Sequence, residues 1–274
     1  MRCQLIILKN CYFKAEEEDE QMKTVQVKNV VLGAGAPKIC VPLVGKTRDT
    51  LLAEMAKLAG LDFDLIEWRV DFFEDVVNIE KVKEMAEMIR GKLADIPILF
   101  TFRSKKEGGE REFSEVDYFA LIHAMIPTGL VDLVDVEVFM TEKKVKETVK
   151  VAHDYGVKVV MCNHDFYQTP EKDEIVARLR MMQDFGADVC KIALMPQSAE
   201  DVLTVLAATN EMYTKYANRP LVTMSMGGLG MVSRLAGETF GSAMTFGAAT
   251  QASAPGQIPV GQLRGILNLL HQSL

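Results

Sequence analysis

Two side chains in this sequence invite chemistry before any fold is assigned. Lys191 lies inside the apolar run DVCKIALM (188–195), between Cys190 and Ile192, and His164 lies near the end of KVVMCNHDF (158–166). An ordinary lysine, with a pKa of about 10.4, is less than about 0.1% neutral at pH 7. Burial and neighbouring cations lower that pKa and make the free amine a nucleophile toward a carbonyl. An iminium formed there is an electron sink, and a histidine nearby can remove a proton from the adjacent carbon. The plainer reading is a paired core lysine and a hydrogen-bonded core histidine. His123, His153 and His271 fall in helical patterns and read as surface or packing residues.

A metal site is the rival. Cys162-x-His164 puts two ligand types on one strand face, and Glu67, Asp135 and Glu137 offer oxygens. No HxH, HExxH or CxxC spacing completes such a set. A metal-dependent barrel hydrolase, an imine-forming aldolase and a catalytically silent binding barrel therefore stand beside an imine-forming enzyme at this stage.

Positioning these groups requires a scaffold, and the chain supplies a regular one. Strand-like runs occur at 38–45, 63–70, 97–104, 130–139, 158–166, 188–195, 220–227 and 243–249. Helical patterns fall at 47–60, 78–92, 115–128, 142–155, 171–186, 198–216, near 230–237 and at 260–272. Ser114 and Ser198 sit where helix caps are expected. Eight strand–helix units predict an α/β fold of the (β/α)8 TIM-barrel type. No GxGxxG or GxxxxGK[ST] loop favours an open doubly wound sheet. The stretch MKTVQVKNVVLGAGAPK (22–38) alternates and carries glycines. It predicts a β-hairpin with a Gly-rich turn, closing the barrel bottom.

Successive strand side chains point to opposite faces. In the second barrel strand Leu65, Glu67, Arg69 and Asp71 share one face, against Ile66, Trp68 and Val70. In the third, Leu99, Thr101 and Arg103 oppose Ile98, Phe100 and Phe102. Asp135 and Glu137 oppose Val134, Val136 and Val138 in the fourth, and Lys191 and Ala193 oppose Cys190, Ile192 and Leu194 in the sixth. The bulky apolar sets must face the helices, so the charges point into the barrel. Burying one charge unpaired costs several kcal/mol. Here both signs converge at the C-terminal strand ends, where barrel enzymes hold their chemistry.

The loops add candidates. SKKEGGE (104–110) forms a pliable turn that lets Glu107 reach inward. The stretches 225–237 and 251–257 follow the last two strands, where barrels often bind anions. Arg234 offers a fork for a carboxylate or phosphate, and Ser253 and Gln257 offer hydrogen bonds. Phe166, Met224, Met226 and Phe246 read as apolar walls, or equally as core packing.

Composition narrows the partners. The 274 residues are 49% hydrophobic and 25% charged, with 31 basic and 38 acidic residues for a net charge of −7. Mean hydropathy is +0.08 and the pI is 5.3. With no Lys/Arg-rich run, no nucleic-acid or anionic-membrane partner is expected, and no apolar stretch reaches the about 18 residues of a membrane span. The five cysteines lack CxxC pairing, which suits reduced thiols in the cytoplasm. Residues 1–21, with the acidic run Glu16 to Glu20, do not fit the barrel pattern. They read as a leader outside the fold, either a disordered tail or residues ahead of a natural start at Met22, and 22–274 reads as one catalytic domain.

Taken together, EWRVD (67–71), FTFRSKKEGGE (100–110), NHDFYQTP (163–170), CKIALMPQ (190–197), the stretch 223–247 and ASAPGQI (252–258) resemble type I 3-dehydroquinate dehydratase of the shikimate pathway. The resemblance spans nearly all of 22–274. It implies a barrel enzyme of aromatic amino-acid biosynthesis, usually a homodimer, needing no metal and no cofactor. It implies that Lys191 forms an imine with the ketone of 3-dehydroquinate. His164 then takes the proton and protonates the departing hydroxyl in a syn elimination, oriented by Glu107. Arg234 is implied to bind the substrate carboxylate with Ser253 and Gln257, and Glu67, Arg69 and Arg103 to hold the ring hydroxyls. Pro42 departs from the pattern, standing where a polar side chain would be accepted.

Overall fold

The structure is a computed structural model that describes residues 24–249 and 253–274. The leader (1–21) and the start at Met22 fall outside the described residues.

Eight parallel strands form the barrel: β3 (Lys38–Leu43), β4 (Leu65–Arg69), β5 (Ile98–Thr101), β6 (Leu133–Glu137), β7 (Lys158–Asp165), β8 (Val189–Leu194), β9 (Leu221–Ser225) and β10 (Met244–Ala248). β10 pairs with β3 through Phe246 and Cys40. The circle closes where Ala243 N donates to Leu221 O at 2.7 Å, beside a bridge from Leu221 to Ser242. The expected helices appear at Arg48–Ala56, Ile79–Lys92, Glu115–Met125, Glu142–Asp154, Lys172–Asp184, Ala199–Lys215, Met231–Leu235 and Val260–His271. A further short helix, Gly237–Phe240, and a two-residue β11 (Ile258–Pro259) beside β10 had no separate signal in the periodicity. The caps at Ser114 and Ser198 form, each hydroxyl accepting the N–H three residues on. No described helix is long and apolar enough to cross a membrane.

The hairpin also forms, from β1 (Val25–Val27) and β2 (Val30–Leu32), but its turn differs from the expected one. The tight turn is Lys28–Asn29, with Lys28 at φ 51, while Gly33 and Gly35 lie in the link to β3. A two-residue hairpin needs left-handed backbone in the turn itself, and Lys28 takes it. Val27, Val30 and Leu32 pack against Cys40, Leu65, Leu99, Leu133 and Val160, sealing the barrel bottom.

Strand parity sorts the core into two layers. Ile66, Trp68, Val70, Phe100, Phe102, Val134, Val136, Cys190, Ile192 and Leu194 pack under the helices. Leu65, Leu99, Leu133, Val189 and Val222 fill the lower interior. Pro42 is buried in β3 opposite Glu67.

One device sets the height of the interior charges. Asp64, Asp132 and Asp188 each stand just before an even-numbered barrel strand. Their carboxylates accept the N–H of Ile39 (2.7 Å), Ile98 (2.8 Å) and Val159 (2.8 Å) on the preceding strand. Their own N–H groups donate to the carbonyls of the same three residues. Arg264, Arg90 and His153 pair with the three carboxylates from outside. Three residues further along lie Glu67, Asp135 and Lys191, so a repeated staple delivers all three to one level. Alternate strands fill a barrel in such layers of four, and Phe246 of β10 is the fourth member.

Candidate active site

Lys191 stands at the centre of that layer. Its Nζ lies 3.5 Å from Glu67 Oε1, 3.7 Å from Asp135 Oδ2 and 4.5 Å from the centroid of the Phe246 ring. The next inward residue on β8 is Ala193, whose small side chain leaves room above the amine.

β7 runs eight residues and lifts His164 to the rim beside it. Glu107 reaches the histidine from the single turn Lys105–Glu107 that follows β5. The reach depends on the two glycines after it. Gly108 sits at φ +86, and a Cβ there would fall 2.3 Å from the Phe166 ring; one on Gly109 would fall 1.9 Å from the Arg103 carbonyl. No larger residue lets the loop close this tightly. Glu107 Oε2 accepts the backbone N–H of His164 at 2.8 Å and lies 3.0 Å from its Nδ1, while Oε1 accepts from Asn163. That leaves His164 Nε2 for the pocket. Burial, with Arg103, Lys191 and Arg69 nearby, holds His164 well below the usual histidine range, so the imidazole is uncharged at neutral pH. Burial and the neighbouring Glu137 push Glu107 up to about 8.

The three arginines are not equivalent. Arg69 grips Asp71 through Nε and NH2, both at 2.8 Å. Arg103 donates to Glu137 Oε1 and Asp135 Oδ1, each at 2.8 Å, and to the Cys162 sulfur at 3.0 Å. Arg234 has no carboxylate partner among the described residues. It donates to the Pro255 carbonyl at 3.0 Å and to Met224 Sδ, and its Nε has no hydrogen-bond partner. Burial alone pulls it down to about 10. Arg234 is thus a buried cation that no carboxylate among the described residues neutralises.

The loops after β9 and β10 meet over this cation. Gly227 N donates to Pro255 O at 3.2 Å, and Gly256, at φ +80, touches the Gly227 backbone so closely that a Cβ would fall 2.3 Å from its carbonyl oxygen. Ser253 and Gln257 bond each other, Gln257 Nε2 to Ser253 Oγ at 3.0 Å and Ser253 N to Gln257 Oε1 at 3.1 Å.

One cavity gathers the candidate imine-forming, proton-transferring and substrate-binding residues. Lys191, His164, Glu107, Glu67, Arg69 and Arg103 line it, with Arg234, Ser253 and Gln257 at the loop side. Phe166, Met224, Met226 and Phe246 form its apolar part. Around the cavity stand the residues that brace it: Asp71 under Arg69, Asp135 and Glu137 (offered by the sequence only as metal donors) under Arg103, Asn163 on Glu107, and Ser104, whose hydroxyl donates to Glu137 at 2.6 Å. Strand parity had turned Asp71, Asp135 and Glu137 inward; nothing local marked Ser104 or Asn163.

The metal alternative meets a poor donor set. Glu107, Cys162 and His164 place one ligand atom each within 4.8 Å of one another. Cys162 Sγ, however, donates to Asp135 at 3.1 Å, and burial pushes the thiol well above its usual range. Arg103 and Lys191 add positive charge beside it, which opposes a cation.

Fold and pocket together define a (β/α)8-barrel enzyme with its charged groups at the C-terminal ends of the strands. The chain belongs to the type I 3-dehydroquinase family, whose model matches residues 39–274. It is 60% identical over 250 residues to a 3-dehydroquinate dehydratase from Syntrophotalea carbinolica, covering 91% of this chain and 99% of that one. A 3-dehydroquinate dehydratase from Shigella dysenteriae is 57% identical, with 92% and 100% covered. Among solved structures, the type I 3-dehydroquinate dehydratase from Clostridium difficile, determined with covalently modified comenic acid, is 54% identical. Its TM-score is 0.89, with 92% of this chain and 99% of that chain covered.

Proposed function

We propose that this enzyme dehydrates 3-dehydroquinate to 3-dehydroshikimate by syn elimination of water through an imine on Lys191. The observation that carries the reading is the convergence, in one cavity, of Lys191, the His164–Glu107 pair and the buried cation Arg234. Lys191 attacks the ketone and becomes an iminium, which draws electrons from the neighbouring carbon. His164 takes a proton from that carbon and then gives it to the leaving hydroxyl, while Glu107 orients the ring. Proton loss beside an iminium yields a neutral enamine, so the charge that develops is met within the substrate. Arg234, with Ser253 and Gln257, binds the carboxylate. Glu67, Arg69 and Arg103 face the ring hydroxyls, held in place by Asp71, Asp135 and Glu137.

The family membership and the high identity to relatives of that name support the substrate. The covalently modified ligand in the Clostridium difficile relative accords with covalent chemistry. The enzyme then works in the cytoplasm as a homodimer, without nucleic-acid partners. Borohydride added during turnover tests the imine: it should leave a reduced adduct on the Lys191 peptide, read by mass. An unmodified lysine in an enzyme that still turns over would end this reading. Retro-aldol products without enone absorbance would point to an aldolase instead.

A further inference from the structure

Asp135 is fully buried in β6, and its two oxygens have unequal surroundings. Oδ1 accepts from Arg103 NH2 at 2.8 Å and from the Cys162 thiol at 3.1 Å. Oδ2 has no hydrogen-bond partner among the described residues and lies 3.7 Å from Lys191 Nζ. The other carboxylate at the amine, Glu67, already accepts from Thr101 Oγ1 at 3.0 Å through the Oε1 that faces Nζ. A buried acceptor left unsatisfied costs about 1–3 kcal/mol, so a group held this way calls for a role.

We propose that Asp135 positions the Lys191 amine and carries its proton while the imine forms, a role that rests on the imine reading above. Lys191 enters as an ammonium. One proton passes from Nζ to Asp135 Oδ2 and frees the nitrogen lone pair. The N–C bond forms at the ketone carbon, and an N–H proton moves to the oxygen, giving a neutral carbinolamine. Asp135 returns its proton to that hydroxyl, the C–O bond breaks, and water departs. The iminium keeps the positive charge between Asp135 and Glu67, and Asp135 ends as it began. Release of product runs the same transfers in reverse. Arg103 and Cys162 pin Oδ1, so Oδ2 stays aimed at the amine throughout.

The charged and titratable groups facing Asp135 are Arg103, Lys191 and Cys162, with Glu67 across the amine and Glu137 further along β6. The test mixes full-length Asp135→Asn enzyme with 3-dehydroquinate and borohydride and follows the Lys191 adduct by mass over time. Adduct formation is expected to slow about 100-fold, while 3-dehydroshikimate binds at most about tenfold more weakly, because an Asn oxygen can still accept from Arg103 NH2 as Asp135 Oδ1 does. A carboxylate that acted only through its charge would give the opposite result, because removing a negative charge beside an amine favours the free base. Trapping at or above the wild-type rate would therefore overturn the assignment. Should D135N fail to fold, Asp135→Glu carries the measurement. With its carboxylate displaced by a methylene, it should trap about tenfold more slowly at saturating substrate, and a wild-type rate there would overturn the role. No adduct in the wild-type control would remove the imine reading itself.

Discussion

Glu107 holds His164 at two points: Oε2 accepts the backbone N–H at 2.8 Å and lies 3.0 Å from Nδ1 of the ring. One carboxylate oxygen thus fixes both the strand end and the imidazole. Glu107→Gln keeps the volume and an oxygen that can accept from His164, but it can no longer ionise to balance a protonated imidazole. We expect kcat to fall about 100-fold with KM within about threefold, as for other orienting carboxylates behind a histidine base. Steady-state kinetics settles this, and an unchanged kcat would remove Glu107 from the mechanism.

The same pair makes stability depend on pH in two directions. Glu107 is raised to about 8, so the folded protein holds a proton there that the unfolded chain, with a carboxylate in its ordinary range, has released. Its contribution is fully present below the unfolded pKa and is lost as pH rises through about 8. His164 is lowered, so its contribution is present above the usual histidine pKa and is lost as pH falls below it. Glu107→Gln should therefore gain thermal stability over wild type as pH rises from 5 to 8.5. The gain should be about 2–4 °C per kcal/mol recovered. Melting curves at the two pH values check the sign.

Gly108 carries the approach of Glu107. Its φ of +86 is strained for any other residue, and a Cβ would fall 2.3 Å from the Phe166 ring. Gly108→Ala is expected to destabilise the fold by about 1–3 kcal/mol and to lower kcat by displacing Glu107. Pairing it with Phe166→Ala removes the clash but not the backbone strain. The double variant should recover only part of the loss in denaturant unfolding.

How much of this was legible in the sequence follows from the range of the forces involved. Alternation along EWRVD and CKIALM put Glu67, Arg69 and Lys191 inside the barrel, because a strand's faces are fixed by its own residues. The hairpin turn was misplaced onto the glycines because a lysine in left-handed backbone, Lys28, leaves no compositional trace. The grip of Arg69 on Asp71 was also hidden. β4 ends at Arg69 and the turn Val70–Phe72 folds Asp71 back beneath it, a bend that parity does not contain. The staples at Asp64, Asp132 and Asp188 join residues 25 to 34 positions apart. Only the assembled barrel brings such partners together.

Asp64 offers a test of that scaffold away from the chemistry. Its Oδ2 accepts the Ile39 N–H at 2.7 Å and the Arg264 guanidinium at 2.6 Å at the bottom of the barrel. Asp64→Ala leaves the Ile39 N–H without its acceptor and Arg264 with only the exposed Asp62, 3.2 Å from its Nε. A loss of about 2–3 kcal/mol is expected, with kcat of the folded enzyme unchanged. Asp64→Asn keeps the acceptor for Ile39 and should lose less.

Arg234 separates binding from stability most directly. It is buried, and its polar contacts among the described residues are a carbonyl and a thioether, so none of them neutralises its charge. Arg234→Met fills much of the same volume without the charge. Removing the fork should raise KM for 3-dehydroquinate about 100-fold, about 2.7 kcal/mol, which is the scale of a charge-assisted pair in a dry site. The chemical step, centred on Lys191 and His164, should change less than about tenfold. Replacing an unpaired buried charge by an apolar side chain is neutral or stabilising, so Tm should hold or rise. A fall in Tm with KM unchanged would mean that Arg234 ties the two loops through Pro255 rather than binding the carboxylate.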